Sequence, residues 1–93
     1  MAEIELKEYK LPKTGDFIAY KIEVWTKGVL QFSFVGKLTR TELKIAKNKN
    51  CVKTDTEARK NLRIYCVRKA REIYQGKRFH IGEEFQGFYS LCW

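Results

Sequence analysis

Five basic side chains, Arg59, Lys60, Arg63, Arg68 and Arg71, recur along one stretch of this 93-residue chain. They fall off the apolar stripe of the helix predicted there, so they project to solvent or to a phosphate backbone. Lys44, Lys47, Lys49, Lys53, Lys77 and Arg78 flank that helix at both ends. Such a set can neutralise several phosphates and release their counterions, which gives a salt-sensitive affinity for nucleic acid. The same geometry also describes a plain solvated helix face, with Glu57 and Glu72 as local ion-pair partners.

Other chemistries find less support. Cys51, Cys66 and Cys92 form no CxxC pair, and with His80 alone to join them they lack the spacing of a zinc site. A Cys-His nucleophilic pair would need His80 with a cysteine at unrelated spacing, and Cys66 falls on the apolar stripe, where a thiol is inert. Glu83-Glu84 follows a glycine and reads as a solvated turn. No glycine-rich phosphate loop or serine-centred elbow is present. The chain is therefore expected to bind rather than catalyse, with no catalytic residue, metal or cofactor.

Aromatic residues offer a second kind of contact. Phe17, Tyr20, Trp25, Phe32 and Phe34 sit on a predicted hairpin, where an open sheet face can stack unpaired bases, although aromatics in a small domain are more often core. With Leu30, Phe32 and Phe34 inward, Gln31 and Ser33 face outward beside Lys21 and Glu23. Trp25 then becomes an exposed anchor. The ending, with Phe85, Phe88, Tyr89, Leu91 and Trp93, either folds back over one edge of the core or serves as an interface, for which a homodimer is the simplest form.

Composition limits how these residues are positioned. A chain of this length supports one core, hence one domain spanning residues 1–93, and 44% hydrophobic with 14% aromatic residues suffices for that core. The net charge of +8 is uneven: residues 1–34 carry five bases and five acids, residues 35–93 fourteen bases and six acids. That asymmetry favours a polyanionic partner, nucleic acid first, then an acidic protein or an anionic membrane surface. An odd cysteine count, with no apolar leader or long apolar run, leads to the expectation of a soluble, reducing, cytoplasmic setting and no membrane span.

The elements follow from periodicity. Ile4 to Lys7 alternates like a short edge strand, with Pro12 and Thr14-Gly15-Asp16 after it. Ile18, Tyr20, Ile22 and Val24 share one face of the clearest strand. Thr26-Lys27-Gly28 turns the chain into Val29–Val35, making a hairpin. Leu38–Lys47 can be a capping box, Thr39 to Glu42, opening a short helix, or a third strand in which Leu43 and Ile45 alternate; the strand is preferred. Thr54 and Glu57 form the best helix start, and Ala58, Leu62, Tyr65, Cys66, Ala70 and Ile73 carry the helix's apolar face toward Gly76 as its left-handed stop. Lys77–Ile81 is expected as a last strand. The fold class is thus α+β, a small antiparallel sheet of three to four strands with one long amphipathic helix on one face.

Tyr20-Lys21-Ile22-Glu23-Val24, the Lys27-Gly28 turn and Lys53-Thr54-Asp55-Thr56-Glu57-Ala58-Arg59 together resemble the small arm-type DNA-binding domains of phage integrases and their AP2-like relatives, over residues 16–76. The resemblance implies that the sheet enters the DNA major groove, with Lys21, Glu23, Gln31 and Ser33 facing bases, and it favours DNA over RNA. It implies a nucleic-acid-binding accessory or regulatory protein. The competing expectation is a protein-interaction module of the kind that inhibits host machinery among phage and mobile-element products, anchored by Trp25, Phe88 and Trp93.

Overall fold

Alternation of apolar and polar residues from Phe17 to Thr26 builds the strand on which the rest of the molecule is assembled. A computed structural model describes residues 4–11 and 15–92. In chain order the elements are β1 (Glu5–Lys10), β2 (Phe17–Thr26), β3 (Val29–Thr39), α1 (Arg40–Asn48), α2 (Asp55–Gly76) and β4 (Glu83–Phe88). They form a four-stranded sheet in the order β1-β2-β3-β4 with the long helix α2 packed on β2 and β3. The α+β class, the hairpin and the long helix agree with the expectation from sequence.

Ile18, Tyr20, Ile22 and Val24 of β2 turn inward with Phe32, Phe34 and Leu38 of β3, all at most 8% exposed. Ala58, Leu62, Cys66 and Ala70 meet them at four-residue steps along α2, and all four are buried. The small residues in that row let the helix lie close to the sheet. At Gly36 an added Cβ would stand 2.2 Å from Cys66 Sγ, so the approach there depends on glycine. Lys27 and Gly28, both at positive φ, make the β2–β3 turn. A bulge follows, because Val24 pairs with Phe32 and Trp25 with Leu30, leaving Gln31 as the extra residue.

Four expectations need correction. Leu38–Lys47 is not a third strand: β3 runs on to Thr39, whose Oγ1 accepts the Glu42 N–H at 3.0 Å and starts α1. The step of three between Leu43 and Ala46, the two buried residues of α1, outweighs the alternation of Leu43 and Ile45, and Ile45 is 40% exposed. At the C-terminus of α2, Lys77 rather than Gly76 takes the left-handed conformation, φ 52°, and its N–H reaches the Ile73 and Tyr74 carbonyls. Lys77–Ile81 is an irregular connection in which Phe79 packs on Phe32, ring centroids 4.6 Å apart, and the last strand lies further on. That strand, β4, pairs with β3 in parallel, so the sheet is mixed rather than antiparallel as expected, because the long crossover through both helices returns the chain to the start of β3.

The fourth correction concerns the cysteines. Cys51 and Cys92 form a disulfide, Cα–Cα 5.5 Å, which ties the α1–α2 linker to the chain's ending and leaves Cys66 as the free thiol. The odd count is a bonded pair plus one buried residue, so the step from cysteine count to a reducing compartment loses its basis. Beside the bond, Tyr89 stacks on Tyr65 at 4.6 Å, and Glu42 Oε1 accepts the Ser90 hydroxyl and the Leu91 N–H. The ending is therefore folded back over the core. No described helix is long and apolar enough to cross a membrane.

Candidate nucleic-acid interface

Capping decides where the cations gather. Because Thr39 opens α1 directly at the end of β3, Arg40, Lys44 and Lys47 follow at helical steps of four and three, on one side of a short helix. Thr54, accepting the Glu57 N–H at 3.1 Å, opens α2 so that Arg59, Lys60 and Arg63 lie near its start. The register of β1 against β2 sets Lys10 opposite Tyr20 at the same end of the sheet.

Two adjoining clefts result. Lys10, Arg59, Lys60 and Arg63 surround the first, about 310 Å³, with Ile18, Ala19, Tyr20 and Leu62 as its apolar lining. Arg40, Lys44 and Lys47 border the second, about 240 Å³, which shares Ile18. Of the described residues lining either cleft, Asp55 is the sole acid, and it forms an ion pair with Lys47. Arg63 is also engaged: it holds the Glu8 carboxylate in a two-pronged pair, with Nη2 3.1 Å from Oε2, and Tyr20 donates its hydroxyl to the same carboxylate at 2.8 Å. The hydrogen bond from Arg63 keeps the Glu8 carboxyl below its ordinary range. Burial, reinforced by Glu8, pushes the Tyr20 phenol up to about 12. Among the described residues no ion pair engages Lys10, Arg40, Lys44, Arg59 or Lys60.

The remaining basic residues lie elsewhere. Lys49 closes α1 and Lys53 precedes α2, both exposed on the linker beyond the Lys47–Asp55 pair. Arg71 is exposed in the later half of α2, while Lys77 and Arg78 stand past its far end, about 33 Å from Asp55 at 1.5 Å per residue. The structure thus brings together Lys44, Lys47, Arg59, Lys60 and Arg63, sets Lys49 and Lys53 at the border, and separates Arg71, Lys77 and Arg78. Lys10 and Arg40 join the cluster without having been singled out in the sequence. Arg40 was hidden by reading α1 as a strand, and Lys10 needs the β1–β2 register, for which no local pattern exists.

The outer sheet face has a different character. Lys21 pairs with Glu23 at 3.8 Å, Ser33 is 6% exposed, and Gln31 sits in the bulge with its amide donating to the Val29 carbonyl at 3.4 Å. Trp25 lies under Lys7 Nζ, 4.2 Å from the ring centroid, and donates Nε1–H to Glu23 at 3.2 Å. Trp25 and Phe88 do not share a patch. Phe88, 62% exposed, neighbours Phe17 at the opposite end of the sheet. Trp93 lies outside the described residues.

As for catalytic groups, burial pushes the Cys66 thiol up to about 12, and the other two cysteines are bonded to each other. Among the described residues no group of three or more His, Cys, Asp or Glu side chains is placed to hold a metal. Compared with known proteins, the chain matches no family model, no curated protein and no solved structure, so its function is read from its own surface.

Proposed function

We propose that this chain is a nucleic-acid-binding accessory protein that takes phosphates on the basic end formed by β1, α1 and the start of α2. The observation that carries the reading is the gathering of Lys10, Arg40, Lys44, Arg59 and Lys60 around two adjoining clefts, with no ion pair to any of them among the described residues. Cations left in this state have phosphate oxygens as natural partners, and each contact releases condensed counterions. Arg63 and Lys47 hold the cleft walls together and are secondary contacts at most.

Fluorescence anisotropy with a labelled DNA strand at two salt concentrations tests this. About five phosphate contacts should weaken binding about 100-fold between 50 and 200 mM salt. Replacing Lys44 and Arg59 by Glu should weaken it at low salt and flatten that dependence, with the melting curve unchanged. An acidic protein could meet the same cations. Absence of nucleic-acid binding even at low salt would overturn the reading and favour that partner.

A further inference from the structure

Phe17 and Phe88 lie on the outer face of the sheet at its α1 end, on either side of β3. Phe17 pairs with Thr39 across β2 and β3, and Phe88 pairs with Lys37 across β3 and β4. Their rings lean together over β3 with centroids 6.1 Å apart, yet they remain 40% and 62% exposed. Lys37 Nζ stands 5.9 Å from the Phe17 centroid. Two neighbouring phenyl rings, tilted 50° to each other and open to water beside a cation, form an apolar surface that calls for a partner with both planar apolar groups and negative charge.

Charge is not spread evenly over this face. By register, Lys7, Glu23, Ser33 and Glu84 form one row toward the β2–β3 turn with Glu5 opposite Trp25, and the cations there are engaged, Lys7 over Trp25 and Lys21 with Glu23. Lys37, whose Nζ also donates to Gln86 Oε1 at 3.3 Å, lies beside the phenyl pair, while Asp16 precedes Phe17 and gives its backbone carbonyl at 2.7 Å to the N–H of Arg40, whose side chain borders the second cleft. The pair shares the α1 end of the sheet with the clefts but lies on its other face: Ile18, the residue after Phe17, turns to the helix side and lines both clefts, so a strand that uses both surfaces crosses the end of β2.

We infer that the nucleic acid bound here is single-stranded, with its unpaired bases stacked on Phe17 and Phe88 while its phosphates follow Lys37, Arg40 and the clefts. This rests on the function proposed above and adds the form of the ligand. Bases in a duplex are already paired and stacked, whereas unpaired bases offer a free face to an aromatic ring.

The test compares a mixed-sequence DNA single strand, the duplex made from it, and an abasic strand of equal length, by anisotropy with the wild-type chain, Phe17→Ala, Phe88→Ala and Phe88→Trp. Both phenyls are exposed, and circular-dichroism melts check that the variants fold. The base-bearing single strand should bind at least about tenfold more tightly than the abasic strand. Phe88→Ala should remove most of that difference without altering abasic binding, and Phe88→Trp should preserve it. Equal affinity for base-bearing and abasic strands, or a preference for duplex that ignores both phenyls, would overturn the stacking inference while leaving the phosphate surface standing. Failure of every probe to bind would overturn both. A dimer in sedimentation that Phe88→Ala dissociates, with nucleic-acid affinity unchanged, would assign the phenyls to self-association instead.

Discussion

Glu8 decides which of its neighbouring cations is open to a ligand. Its carboxylate takes both the Arg63 guanidinium and the Tyr20 hydroxyl, binding β1 to α2 across the wall of the larger cleft. Arg63 is thereby a clamp, whereas Arg59 and Lys60, one turn earlier, are not. The folded-state pKa of Glu8 is lowered, chiefly by Arg63. Its stabilising contribution is therefore fully present above the unfolded value, about 4.3, and is lost as pH falls through the lower folded value. Thermal melts of the wild-type chain and Glu8→Gln should differ near neutral pH, with the variant less stable, and converge once the pH has fallen through the lowered folded value. A difference that persists unchanged into acid would mean that the carboxylate charge is not what holds the clamp.

At the scale of elements, local signals were legible and long-range ones were not. The Thr54 cap and the four-residue row Ala58, Leu62, Cys66 and Ala70 announced α2, and the alternation from Ile18 to Val24 announced β2, because each pattern is written in consecutive residues. In α1, nine residues long, the capping box competed with an apparent strand alternation. β4 depends on pairing with β3, about fifty residues earlier, and the Cys51–Cys92 bond spans 41 residues. Neither leaves a local mark. The disulfide, Tyr65–Tyr89 stacking and the two bonds to Glu42 jointly fasten the ending. Replacing Cys51 and Cys92 by Ser should lower unfolding stability by about 2–4 kcal/mol, measured by urea denaturation. Nucleic-acid binding should be unaffected, because neither cysteine lines the clefts. An unchanged denaturation midpoint would show that the noncovalent contacts alone hold the ending.

Viewed whole, the molecule is polar along its long axis, 44 Å in extent. One end carries α1, the start of α2, Lys10, and the Phe17–Phe88 pair. The other carries the β2–β3 turn, Trp25, and the C-terminus of α2. Phe17 and Trp25 are eight residues apart on β2, about 27 Å along an extended strand. The excess of positive charge was visible in the sequence, but its concentration at one end was not. It required α1 to be a helix and β1 to lie in register, which bring Arg40, Lys44 and Lys10 to the start of α2, where no ion pair engages them among the described residues. The outer-face positions Lys21, Glu23 and Ser33 are engaged or covered, and they lie between the two ends.

The most direct measurement is amide chemical-shift mapping by NMR as a DNA single strand is added. Binding at the proposed end predicts the largest shifts at Lys10, Phe17, Lys37–Lys47, Arg59–Arg63 and Phe88, with Trp25, Gln31 and Lys77 little changed. Shifts centred on Trp25 and Gln31, or on Lys77 and Arg78, would contradict it.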